Sequence, residues 1–139
     1  MKALIDTNII LDILLKRQPY YEKAAVIFGL AKRSFFNAFV SASAITDIFY
    51  ISKKDLGKNN ANKALKNILQ VFHPADVTGE NIFQALEIEW DDFEDSVQYI
   101  VGESLSVDFI ITRNTQDFAS GSISAVTPEQ FIQTVTDTE

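Results

Sequence analysis

No cysteine occurs anywhere in the 139-residue sequence, which excludes disulfide frameworks and thiolate-bound metals. Histidine occurs once, at His73, too few for a histidine-rich zinc site or a two-histidine catalytic pair. Any metal must therefore be held by oxygen ligands, which favours Mg²⁺ or Mn²⁺. The apolar runs are short and broken by polar residues, so no segment is long enough to span a bilayer. The chain opens on MKALID without a signal-peptide pattern, and a cytoplasmic protein is expected. Basic residues are nearly missing from the second half. Arg113 is the only one after Lys66.

What is present fits one domain over residues 1–139. Hydrophobic residues make up 47% and charged residues 22%, enough apolar material for a real core. The net charge of -7 argues against binding nucleic acid over the whole surface. Its distribution is uneven. Residues 1–66 carry 11 basic and 5 acidic side chains, whereas residues 67–139 carry one basic and 14 acidic ones. That asymmetry suggests a basic face and an acidic face or site on one domain, although charges that merely solvate helices would read the same way.

Hydrophobic periodicity predicts strands alternating with helices. Lys2–Asp6 reads as a buried strand, and Thr7 or Asn8 can cap a helix through Leu15. Tyr20–Arg33 reads as a second helix and Ala38–Ser41 as a second strand. Ser43 caps a helix to about Lys54 with Ile45, Ile48, Phe49 and Ser52 on one face, and Gly57 stops it. Asn59–Phe72 reads as a helix with Ala64, Leu65, Ile68, Leu69 and Phe72 inward. A short extended piece near Ala75–Val77 precedes helices over Glu80–Ile88 and from Asp91 or Asp92 to Leu105. Val107–Thr112 is a strand, Thr115–Phe118 a helical turn, Ser124–Val126 a last strand. Pro128 suits the first position of a closing helix through Val135, and residues 134–139 read as a frayed tail. The pattern implies an α/β fold: three α/β/α layers around a mostly parallel sheet of four to five strands. Phe28, Phe49 and Phe131 suit a core. In the adjacent pairs Tyr20–Tyr21 and Phe35–Phe36 one member tends to the surface, as loop packing or as a partner surface.

In parallel sheets of this kind ligands sit at the carboxyl ends of strands, where Asp6 and Thr112 both fall. A carboxylate ending an apolar strand is either solvated in a crevice or paired, or it caps the next helix. Asp47 lies opposite the apolar stripe of its helix, as a solvated residue would. Asp95 sits one turn into a helix among Asp91, Asp92 and Glu94, where the helix dipole favours acids. Singly these are weak signals.

Together they carry a resemblance. LIDTN at Leu4–Asn8, SASAITD at Ser41–Asp47, FEDSVQY at Phe93–Tyr99 and IITRNTQDF at Ile110–Phe118 occur in the order found in the PIN-domain nucleases. The chain resembles in particular the VapC-type toxins of bacterial toxin–antitoxin pairs, over nearly its whole length. The resemblance implies a divalent-metal-dependent endoribonuclease with Asp6, Asp47 and Asp95 as its acids. Asp47 stands where the family usually has Glu. Asn114 stands where a fourth acid often follows the fourth strand, leaving Asp117, three residues on, as its substitute, directly or through water. Asn8 and Thr112 match polar positions that orient the carboxylates. The resemblance also implies a homodimer and a small antitoxin partner. Carboxylates crowded together repel one another without a cation, and a divalent ion activates water and relieves charge on a phosphodiester. Asp6 and Asp95 are expected as metal ligands, with Asp47 holding metal-bound water or a second ion. Arg113 either contacts a phosphate or pairs with a nearby acid. The pairs Lys16–Arg17, Lys32–Arg33 and Lys53–Lys54 either guide RNA or lie on plain solvated surface.

Two other phosphoryl-transfer arrangements fail on single residues. Haloacid-dehalogenase-type phosphatases need a second Asp where Asn8 stands, and receiver domains need a Lys after the last strand, where none occurs. A non-catalytic RNA- or protein-binding module on the same fold stays open because of Asn114.

Overall fold

In the computed structural model, which describes residues 1–137, five parallel strands form one sheet in the order β3-β2-β1-β4-β5. The strands are β1 (Lys2–Ile5), β2 (Asn37–Ser41), β3 (Phe72–Ala75), β4 (Phe109–Ile111) and β5 (Ser124–Val126). The helices are α1 (Thr7–Leu14), α2 (Tyr21–Lys32), α3 (Ala42–Leu56), α4 (Lys58–Leu69), α5 (Gly79–Glu87), α6 (Phe93–Leu105) and α7 (Pro128–Asp137), with a 3-10 turn at Thr115–Phe118. The expected α/β/α layering is therefore present. No helix among the described residues is long and apolar enough to cross a membrane.

Strand alternation sorts the core into two halves. Ala3, Ile5, Ala38, Val40 and Ile111 face a cluster with Ile9 and Ile10 of α1, Ile27 of α2, Ile48 of α3, Ile68 of α4 and Phe131 of α7. Leu4 and Ile110 face the other way, against Ala85 of α5, Val97 and Val101 of α6, and Phe118. Leu4, Ile5, Ile110 and Ile111 have no exposed surface. The central strands β1 and β4 thus read as apolar on both faces, as parallel strands covered by helices must.

The chain lays β1, β2 and β3 outward in order and then crosses through α5 and α6 to place β4 on the other side of β1. The strand order reverses between β1 and β4, which pair in register from Ala3–Phe109 to Ile5–Ile111. A crevice opens at the carboxyl ends of strands where such a reversal occurs. Asp6 and Thr112, the residues directly after β1 and β4, stand there.

Three local expectations need correction. Ser43, expected to cap α3, lies inside it, because the helix begins at Ala42 directly after Ser41. Phe72 begins β3 and does not end α4, which stops at Leu69. Apolar spacing continues from the helix into a buried strand residue, so periodicity alone does not mark the break. β3 lies at the sheet edge and pairs only with β2, so Pro74 costs the sheet no necessary donor. The cap of α1 is Asp6, whose side chain accepts from the Thr7 amide, where Thr7 or Asn8 was expected. The closing helix α7 runs as far as Asp137. Thr138 and Glu139 lie outside the described residues.

Gly57 both closes α3 and opens α4, with φ +79° and ψ 160°, a region closed to side chains. A Cβ there would meet nothing within 4 Å, so the whole penalty of adding one is backbone strain. Gly57→Ala is expected to lower stability by about 1–3 kcal/mol, read as a shifted urea midpoint with an unchanged slope.

Candidate active site

Asp6 is 6% exposed, and both of its oxygens are occupied. Oδ1 accepts from the Thr7 amide at 2.7 Å and from Gln98 Nε2 at 3.0 Å. Oδ2 accepts from the Thr112 hydroxyl at 2.7 Å and from Asn8 Nδ2 at 3.3 Å. Four donors fill the acceptor capacity of a carboxylate, which is how a buried acid avoids the cost of desolvation. Its own amide donates to Ile111 O at 3.0 Å, so Asp6 also ties β1 to β4. The Thr112 hydroxyl in turn accepts from the Asn114 amide at 3.0 Å. That contact holds the turn after β4 against the crevice.

Facing Asp6 is the N-terminus of α6. Asp92 caps it by accepting from the Asp95 amide at 3.0 Å. The Asp95 carboxylate, half-buried, accepts no hydrogen bond among the described residues. Burial first, then the charges of Asp92, Asp6, Asp117 and Glu94, push its pKa up to about 7 from an ordinary 3.8. Glu94 is also raised, by burial and by the charge of Asp47, although the Thr7 hydroxyl donates to its Oε1 at 3.3 Å. A crevice of about 220 Å³ joins Asp6, Asn8, Arg17, Glu94, Asp95 and Asp117. A second hollow of about 320 Å³ continues from it past Asp92, Asp95 and Asp117 to Trp90.

The structure thus brings Asp6, Asn8, Thr112, Asn114, Asp95 and Asp117 together. Asp47 is exposed on α3 and does not line the crevice; its charge helps to raise Glu94, which does. Among the described residues no three such side chains are arranged as a ready-made metal cage. Arg113 is committed elsewhere. Its Nε donates to Asp12 Oδ2 at 2.9 Å and its Nη2 to Asp12 Oδ1 at 3.4 Å, and its guanidinium lies 3.9 Å over the Tyr20 ring. Asp12 has no exposed surface, and its burial raises its pKa more than Arg113 and Arg17 lower it.

Three site residues escaped the sequence reading. Gln98 is 1% exposed and is the only side chain of α6 that donates to Asp6. A polar residue one turn after Asp95, inside the apolar run Val97–Val101, was the available signal. Glu94 was visible only as one acid among several, and Arg17 only as half of a basic pair.

The donor set is all oxygen and crowded with negative charge, the chemistry of a hard divalent cation. The lack of a preformed cage does not conflict with this, because Mg²⁺ keeps most of its waters and uses one or two carboxylates. The residues present fit such an ion.

The profile of the PIN domain family matches residues 2–116. Comparison with curated protein sequences gives no match. Among solved structures, the chain is similar to DNA-bound VapBC from Salmonella typhimurium, with a TM-score of 0.71 and 14% identity over 92% of this chain and 98% of that one. It is similar to a toxin–antitoxin complex from Klebsiella pneumoniae, with a TM-score of 0.68 and 22% identity over 91% and 97%. It is also similar to VapC20 of Mycobacterium tuberculosis, described as a sarcin-ricin loop cleaving toxin, with a TM-score of 0.68 and 16% identity over 86% and 95%. At these identities the likeness establishes the fold.

A raised pKa means that folded Asp95 holds its proton more tightly than unfolded Asp95 does. Stability is therefore lost as pH rises from about 4 to about 7 and is level above that. Metal-free protein is expected to melt at lower temperature across that window. Asp95→Asn should flatten the curve and raise stability above pH 7 by roughly 1–2 kcal/mol after solvent screening, seen as a higher melting temperature. Parallel curves for the two proteins in EDTA would contradict this origin of the shift.

Proposed function

The chain belongs to the PIN domain family, and on that footing we propose that it is a divalent-metal-dependent endoribonuclease, the toxin of a toxin–antitoxin pair. The observation that carries this reading is a fully hydrogen-bonded Asp6 facing, across a crevice at the strand-order reversal, an Asp95 carboxylate that accepts no hydrogen bond among the described residues. The names of the similar structures add the biological setting, a toxin whose partner is an antitoxin. A homodimer and an RNA substrate belong to the same proposal.

The ion, Mg²⁺ or Mn²⁺, supplies a water of lowered pKa and neutralises charge at the phosphate when bound. Asp95 would offer it free oxygens, and Asp6, whose oxygens already accept four hydrogen bonds, would add its negative charge beside it. Asp117 and Glu94 add negative charge at the margin, and Asp47 adds its charge from farther out, next to Glu94. Thr112, Asn8 and Gln98 hold Asp6 in one orientation, so no reorganisation is needed when substrate arrives. Arg17, the one basic residue lining the crevice, meets a phosphate oxygen of the RNA. Asn114 lines the same crevice with an amide, so the site carries less charge than a four-acid version would.

A second reading is favoured by Asn114 alone: the same fold binding RNA or a protein without cleaving it. Incubation of pure protein with mixed RNA separates the two. Cleavage is expected in Mg²⁺ or Mn²⁺, is lost in EDTA, and falls on the order of 100-fold or more in Asp6→Asn or Asp95→Asn. Asn114→Asp should lower the Mg²⁺ concentration needed for half-maximal rate. EDTA-resistant cleavage overturns the proposal. Binding without cleavage, unaltered by Asp6→Asn, selects the binding module.

A further inference from the structure

A cavity of about 360 Å³ adjoins the acidic crevice and shares Asn114 with it. Its walls include Pro19, Tyr20, Lys23, Arg113 and Pro128. None of the acids proposed for catalysis lines it. Its size is that of a small ligand pocket, and its lining sets two prolines and the Tyr20 ring among polar and charged side chains.

The pocket is rigid where it matters. Arg113 is fixed along one edge by two contacts to buried Asp12 and on one face by the Tyr20 ring. Its Nη1 makes no hydrogen bond among the described residues, and its side chain is 25% exposed. The pocket is also close to neutral. Asp12 matches Arg113, and Glu129 lies in the same lining as Lys23. A phosphate would find no net positive charge there. A flat, uncharged ring with polar edges would find an aromatic, two prolines, a planar cation and the Asn114 amide.

We propose that this cavity seats one nucleobase of single-stranded RNA, next to the nucleotide whose phosphate lies over the acids. The proposal rests on the ribonuclease reading above and adds a base-recognition subsite to it. Bases stack on aromatic rings and on guanidinium planes, and every base offers such a face. The edge donors of Arg113 and Asn114 then discriminate between bases.

The test uses fluorescence anisotropy of short labelled single-stranded RNAs in Mg²⁺, with Asp95→Asn as background so that the RNA stays intact and the hydrogen bonds to Asp6 are kept. An abasic position is moved along the oligonucleotide. One position is expected to weaken binding about tenfold, and that loss should vanish when Tyr20→Ala is added. Tyr20 is 43% exposed, so its removal leaves the core alone. Arg113→Lys, which keeps the charge beside Asp12 and loses the plane, should behave like Tyr20→Ala. Identical abasic profiles with and without Tyr20, alongside normal cleavage by the wild type, overturn the pocket and leave the ribonuclease reading standing. RNA neither bound nor cleaved by the wild type overturns both.

Discussion

Four hydrogen bonds converge on the buried carboxylate of Asp6, and their donors come from positions 7, 8, 98 and 112. No local stretch of chain supplies that set. The cradle closes only when β1, α1, α6 and the end of β4 are all in place. Any donor lost would leave the acid under-satisfied, at a cost of about 1–3 kcal/mol. The fold and the site are for this reason one construction. The sheet places Asp6 at the reversal of strand order, and Asp6 in turn joins β1 to β4 through its backbone amide.

Around this acid the protein treats similar residues in opposite ways. Asp12, further along α1, is fully buried but matched by Arg113, and it serves the packing of α1 against the turn after β4. Asp95, Glu94 and Asp117 line the crevice with Arg17 as its one basic side chain. The excess negative charge is concentrated around half-buried Asp95, and the raised Asp95 registers that cost. A structural ion pair would relax it. A site that takes up a cation in its working state would keep it.

Much of the layout was legible in the sequence because it rests on local rules. Short apolar runs marked β1 and β4, Asp91 or Asp92 marked the start of α6, and Gly57 marked the end of α3. The Phe72 misplacement shows where such rules stop. A buried strand entered directly from a helix has the same apolar signature as one more helical turn. Site residues followed the same division. Asp6 and Asp95 announce themselves as carboxylates at the ends of predicted elements. Gln98 does not, because a glutamine inside a helix is ordinary until the fold turns it toward Asp6. The fate of Arg113 was undecidable for a similar reason: only the packed structure brings Asp12 and Tyr20 against it.

The central claim is that mutual repulsion at this crevice is relieved by a divalent cation held at Asp95, next to the charge of Asp6. Carboxyl ¹³C NMR of Asp95 across a pH titration, with and without saturating Mg²⁺, tests it at the residue concerned. The account predicts a midpoint near 7 in metal-free protein and a marked fall when Mg²⁺ is added. An ordinary carboxylate midpoint, the same in both conditions, would contradict it.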